Sequence, residues 1–241
     1  MDESFIRTES ILGREAMERL RNAAVAVFGL GGVGSAAAEA LARSGIGSFI
    51  LVDSDTVQRS NINRQIIALH SNLGIPKTAA MKNRILDINP EASVETHELF
   101  FTAETGEELL SRGISYIVDA IDTVSSKIEL ILRARDLGIP IISSMGTGNK
   151  LDPSRLEIAD IHETSECPLA RVMRRELRNR GIEKLTVVYS REPPVKPDPL
   201  TAAAFGDQKR PGKTTPGSTA FVPPAAGLIM ASRVVRDLTA R

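Results

Sequence analysis

Within one short stretch the chain sets Asp53 and Asp55, then Ser60-Asn61-Ile62-Asn63-Arg64-Gln65, then Gly74-Ile75-Pro76-Lys77. Two carboxylates are thus followed by amides and two cations. Hydride transfer creates no polyanion and has little use for Arg64 and Lys77. Attack on the α-phosphate of ATP does, because charge grows on the phosphoryl oxygens and on the departing pyrophosphate. Positioned Arg, Lys and metal are the usual stabilisers of that charge. The cluster therefore favours nucleotidyl transfer over a dehydrogenase.

Such a cluster needs a scaffold that holds a nucleotide, and the preceding residues supply one. Ala24-Val25-Ala26-Val27-Phe28 is an apolar run ending at Gly29, and Gly31, Gly32 and Gly34 precede a helical pattern carried by Ala37, Leu41 and Ala42. This reads as strand, tight turn, helix. The glycines let backbone approach a phosphate chain, and the free N–H groups of the helix's first turn favour anions. The next apolar run, Phe49 to Val52, ends at Asp53, where a carboxylate can take ribose hydroxyls. A glycine turn alone is a weak signal that also suits a purely structural bend; its position between these elements is what favours a nucleotide.

Further on, residues 9–21 place Ile11, Leu12, Ala16 and Leu20 at helical spacing, with Gly13 a potential interruption. A helix is expected between Lys77 and Asn89, which puts Lys77 in its first turn. A cation there works against the helix dipole, so a phosphate-facing role is better motivated than a surface one. Strands are expected over 92–99, 114–118, 139–142 and 185–190, with helices over 103–112 and 125–137. The strand at 114–118 leads into Asp119-Ala120-Ile121-Asp122, which brings both acids to the ligand edge of a parallel sheet. Asp122 has a second reading as the N-cap of the next helix. Alternation in Leu156 to Ile161 suits a strand with one solvated face, antiparallel at the sheet's far side. The fold expected is α/β, a Rossmann-like, mostly parallel sheet with helices on both faces, in one domain over 1–241.

Composition narrows the classes. The chain has 241 residues, 42 % of them hydrophobic, and a formal net charge of zero. Residues 1–150 hold 15 Lys+Arg against 19 Asp+Glu and residues 151–241 hold 15 against 11, so a polyanionic partner is expected on the second half. No apolar run long enough to span a membrane occurs and the N-terminus is polar, so a cytoplasmic protein without a membrane partner is expected. The single cysteine, Cys167, excludes an internal disulfide and a four-thiolate zinc site within one chain. As a nucleophile Cys167 lacks an evident base, His162 being a loose candidate. Just after it, Arg171, Arg174, Arg175 and Arg178 share one stripe of an amphipathic helix, a face suited to RNA phosphates or to plain solvation. Residues 191–218, rich in Pro, Gly and charge, read as a mobile crossover, and an apolar helix follows over 225–238.

The ordered strings GLGGVGS, VDSDTV, SNINRQ, GIPK and DAID resemble the ThiF-type adenylate-forming family, which includes the ubiquitin-activating enzymes and bacterial activators of sulfur-carrier proteins. The resemblance implies the ubiquitin-activating-type fold with an antiparallel extension, and a homodimer. It implies ATP held by Gly29, Gly31, Gly32, Gly34, Asp53, Asp55, Asn61, Arg64, Gln65, Lys77 and Asp122. It implies Mg²⁺ on Asp122, and catalysis by Arg64, Lys77, Asp122 and an Arg7 that reaches the partner subunit's ATP. Ser4 stands where a second N-terminal arginine is frequent in the family. The paired CxxC zinc motifs of the carrier activators are absent. RTESILG, CPLARVMRREL, VVYSREPPVKP and GSTAFVPPAAGL are similar to a bacterial subgroup that modifies tRNA, in which ATP activates a threonylcarbamoyl carboxylate beside the anticodon for closure of a hydantoin ring. Some members carry a cysteine in the last motif, where this chain has Phe221 and Ala225. The alternative substrate is the C-terminal glycine of a ubiquitin-like carrier, and a cysteine desulfurase system is a further implied partner.

Overall fold

The computed structural model describes residues 3–111, 113–198, 201 and 216–240. Seven strands form one sheet: β1 (Ala24–Phe28), β2 (Ser48–Val52), β3 (Ser93–His97), β4 (Tyr116–Asp119), β5 (Ile141–Ser144), β6 (Leu156–Asp160) and β7 (Thr186–Ser190). Their order is β3-β2-β1-β4-β5-β7-β6. All pairs are parallel except β6 with β7, where Glu157 faces Tyr189, as the alternation over 156–161 led us to expect.

The central strands β1 and β2 are near-continuous apolar runs because both of their faces are covered, whereas the edge strands β3 and β6 carry polar residues. Val25, Val27, Phe49 and Leu51 point into one core with Ala37 and Leu41 of α3 (Gly34–Arg43) and Met230 and Val234 of α8 (Val222–Thr239). Ala26, Phe28, Ile50 and Val52 point into the other with Phe101, Leu109 of α5 (Ala103–Leu110) and Leu130 of α6 (Val124–Asp136). A third cluster joins Met173 and Leu177 of α7 (Pro168–Arg178) to Val187, Tyr189 and Ile131. This is a doubly wound sheet. The chain leaves β1 toward β2 and β3, then crosses back to β4 on β1's other side, so the crevice where ligands bind lies beyond the ends of β1 and β4.

The interruption anticipated at Gly13 is present, and one helix start is corrected. Residues 9–21 are not one helix: α1 (Ile6–Leu12) and α2 (Arg14–Asn22) are separated at Gly13, whose φ of 83° ends the first. The last helix starts at Val222, three residues before the anticipated Ala225, because Pro223 and Pro224 occupy its first turn, where no N–H is required. The helix α4 (Lys77–Ile88) matches its expected limits. It is tied to α3 by Glu39, which accepts from Arg43 at 2.9 Å and from Arg84 of α4. Burial alone would raise the Glu39 carboxyl, but the two guanidinium groups outweigh it and hold the group below its usual range. Among the described residues no helix is long and apolar enough to cross a membrane. Much of the anticipated crossover, 199–200 and 202–215, lies outside the described residues.

Candidate nucleotide site

The turn after β1 is built around two glycines that tolerate no side chain. Gly29 has φ 84°, and a Cβ there would stand 2.7 Å from the Ala120 carbonyl oxygen; a Cβ on Gly34 would stand 1.8 Å from the Gly29 oxygen. Gly34→Ala should therefore abolish the turn. We expect loss of the thermal shift produced by ATP, with a lower melting temperature because backbone must move to relieve the overlap. The strand-end acid pins the same turn: Asp53 Oδ2 accepts from the Leu30 amide at 2.6 Å and Oδ1 from the Asp55 amide at 2.8 Å.

Lys77 opens α4 and is 5 % exposed. Its amide donates to the Asp55 carbonyl at 3.0 Å, and the adjoining loops are zipped by Val57 N–H to Ile75 O at 2.8 Å and Gly74 N–H to Val57 O at 2.9 Å. Its Nζ lies 2.8 Å from Asp55 Oδ2 and 3.7 Å from Asp53 Oδ1. The fold therefore brings together the cation at the start of one helix and the acids at the end of a strand.

Arg64 lies against the glycine turn. A Cβ on Gly32 would meet Arg64 O at 3.1 Å and Cγ at 3.4 Å. The guanidinium donates through Nη1 to Ser60 O and to Asn63 Oδ1, each at 3.0 Å. Burial lowers its pKa, which marks a partly dehydrated cation suited to an anion. Asn61 is bound into its loop, its Oδ1 accepting from the Gln58 amide at 3.0 Å. Gln65 is buried beside Gly31, and among the described residues neither its Oε1 nor Thr78 Oγ1, one residue beyond Lys77, has a hydrogen-bond partner. A buried polar atom left open beside a glycine turn suits a polar guest.

Asp122 is exposed, and its Oδ1 accepts only a 3.3 Å bond from the Thr123 hydroxyl among the described hydrogen bonds. The N-cap alternative is not realised: Thr123 holds that position and no side chain caps α6. Asp119 stands at the end of β4, at the expected sheet edge. It is fully buried, accepts from Ser143 Oγ at 2.6 Å and from the Ile121 amide at 3.1 Å, and lies 2.8 Å from Lys127 Nζ, so it supports the turn and does not face a ligand. The Lys127 contact is close in distance without hydrogen-bond alignment, and among the described residues Nζ has no hydrogen-bond partner. Lys127 went unread in the sequence, although it shares a helix face with Ile131 and Ala134 and so stood on a buried stripe.

Other candidates fall elsewhere. Arg7 is exposed on α1, close in sequence to Phe5, which packs by Gly45 ahead of β2, and it is not brought to its own chain's glycine turn. Cys167 is 2 % exposed, with Sγ 3.9 Å from the Gly146 carbonyl oxygen. Lys150 stands near it; burial lowers the Lys150 pKa, against the pull of Cys167 and Glu192. Of the arginine stripe, Arg174 is spent on structure, donating to Thr164 O at 2.7 Å and to its hydroxyl, and Arg175 pairs with Glu176 at 3.0 Å. Arg171 and Arg178 remain exposed on α7.

The doubly wound sheet with its glycine turn after β1 defines an α/β nucleotide-binding protein of the ubiquitin-activating type. The ThiF family model matches residues 5–241, and the chain belongs to that family. It is 48 % identical to the tRNA threonylcarbamoyladenosine dehydratase of Bacillus subtilis over 97 % of this chain and 94 % of that protein. Its structure is similar to that of the Escherichia coli tRNA N6-threonylcarbamoyladenosine dehydratase, TcdA, in complex with ATP, at TM-score 0.88 and 34 % identity over 99 % of this chain and 94 % of that one. The molybdopterin-synthase adenylyltransferase of Haemophilus influenzae is 33 % identical over 54 % of this chain.

Proposed function

We propose that the protein is an ATP-dependent tRNA threonylcarbamoyladenosine dehydratase. The observation that carries this reading is the likeness to the Bacillus subtilis enzyme along nearly the whole chain, beyond the shared adenylation motifs. The likeness to the molybdopterin-synthase adenylyltransferase covers 54 % of the chain.

Asp53 takes the ribose of ATP, and the triphosphate runs along the Gly29–Gly34 turn with Arg64 and Lys77 on either side. Asn61 and Gln65 line the same face. A carboxylate oxygen of the substrate attacks the α-phosphorus, the bond to pyrophosphate breaks, and an acyl-adenylate forms. The substrate's own nitrogen then closes a five-membered ring on the acyl carbon, AMP departs, and the nitrogen's proton is lost; the net change is removal of water. No protein nucleophile is needed, since proximity within one substrate supplies an effective molarity of about 10⁵ M or more. The buried Cys167 is idle in this scheme. Mg²⁺ fits Asp122: the carboxylate is open, and one carboxylate with phosphate oxygens is the usual set for this hard ion. Bound there, the ion would neutralise phosphate charge.

A homodimer completes the site, with Arg7 delivered to the partner's triphosphate. Ile6 and Ile11, exposed on the same helix, give it an apolar surface to bury. Arg171 and Arg178 are the arginines of α7 left to meet tRNA phosphates.

The test is nucleoside analysis of tRNA carrying threonylcarbamoyladenosine after incubation with protein and ATP. We expect the cyclic nucleoside together with AMP and pyrophosphate, and neither with Asp122→Ala. Unchanged tRNA alongside carrier-dependent pyrophosphate exchange would transfer the reading to a protein substrate.

A further inference from the structure

We propose that Asn63 is a positioning residue for Arg64, linking the guanidinium that reads the triphosphate to the returning end of the crossover. The proposal rests on the assignment of Arg64 to phosphate made above.

A planar amide offers an acceptor and a donor on one rigid group. Asn63 uses both. Its Oδ1 accepts from Arg64 Nη1 at 3.0 Å, and its Nδ2 donates to Ser218 O at 3.1 Å. A guanidinium has only donors and a carbonyl only accepts, so no other orientation of the amide satisfies both neighbours. An aspartate would hold Arg64 and lose Ser218; an alanine would lose both.

The chain continues beyond Ser218. Gly217 is clamped to Asn149 by two bonds, its N–H donating to Asn149 Oδ1 at 2.7 Å and its carbonyl accepting from Asn149 N–H at 2.8 Å. The Asn149 carbonyl also accepts from Val195 N–H at 2.8 Å, so one residue holds both ends of the crossover. Asn149 has φ 57°, a left-handed conformation that Asn tolerates better than most residues. Gly148 clears space for Pro216, since a Cβ there would stand 2.8 Å from Pro216 Cβ. At the far end Pro223 lies against the glycine turn, where a Cβ on Gly32 would come within 2.9 Å of its own Cβ. Residues 216–223 therefore run from the loop after β5 to the nucleotide turn, and Asn63 is the side chain that joins this strap to Arg64. Seating of the strap and alignment of Arg64 become one event.

The test uses the full-length protein, with calorimetric affinities for ATP and for adenosine, which lacks the phosphates. Arg64→Ala and Asn63→Ala should each weaken ATP about tenfold, the range of a hydrogen bond to a charged group, and leave adenosine within about twofold. Asn63→Asp should recover most of the ATP affinity by keeping the acceptor. Asn149→Ala should weaken ATP about threefold in the parent and not at all in the Asn63→Ala background, because neighbours in one network are not additive. Asn63 is exposed, so a matching melting temperature certifies each fold. Unchanged ATP affinity in Asn63→Ala with a loss in Arg64→Ala overturns the proposal, as does an undiminished Asn149 effect in that background. Unchanged affinity in Arg64→Ala overturns the phosphate role of Arg64 first, and the proposal with it.

Discussion

Lys77→Met should lower the rate of acyl-adenylate formation by about 10²–10³, the usual loss when one preorganised charge is removed from a reaction that develops negative charge. Methionine keeps most of the stem, so the change isolates the ammonium. Two effects combine. The transition state loses a cation that the fold has already dehydrated, Lys77 being 5 % exposed. In addition, Asp53 and Asp55, which lie 3.7 and 2.8 Å from Nζ, are left without it beside an incoming polyanion. A second substitution separates them. Asp55→Asn in the Lys77→Met background removes repulsion and should restore much of the ATP affinity, while the rate under saturating ATP stays low. Rapid-quench measurement of pyrophosphate release, with ATP affinity measured separately, checks this. Full recovery of the rate in the double variant would mean that Lys77 only shields its neighbours.

What the sequence disclosed about this site follows from the range of the interactions. Gly29, Gly34, Asp53 and Lys77 were legible because each sits where a strand or helix meets a turn, and the parallel sheet gathers strand-end turns at one edge. The central strand spans were legible because both sheet faces are covered and their runs are nearly continuous, and β6 because its residues alternate. Residues whose partners are distant in sequence left no periodic signal. Asn149 meets Gly217, and Asn63 meets Ser218, through backbone groups that any residue type would carry. Arg174 looked like its neighbours on the stripe until Thr164 was found beneath it. Asp119 was legible as an acid at the ligand edge of the sheet, but its burial against Lys127 and Ser143, which gives it a structural task, left no local pattern.

That task yields the second large effect, on stability. Asp119 and Lys127 are both 0 % exposed at the side chain and 2.8 Å apart. Removing one partner leaves the other charge dehydrated and uncompensated, which typically costs about 3–5 kcal/mol. Lys127→Met should therefore lower the melting temperature by roughly 6–20 °C, taking about 2–4 °C per kcal/mol for a domain of this size. The double variant Asp119→Asn/Lys127→Met should return close to the parent, because replacing a whole buried pair with neutral groups is often neutral or stabilising. The carboxylate does more than balance the lysine: its Oδ1 holds the Ile121 amide at 3.1 Å and so fixes the turn that presents Asp122. Asparagine retains that oxygen. The double variant should accordingly keep ATP binding, whereas Asp119→Ala/Lys127→Met, neutral but without the acceptor, should refold and bind ATP poorly. Equal melting temperatures for Lys127→Met and the Asn double variant would show that the lysine contributes through packing of its stem, with the charge pair irrelevant to the fold.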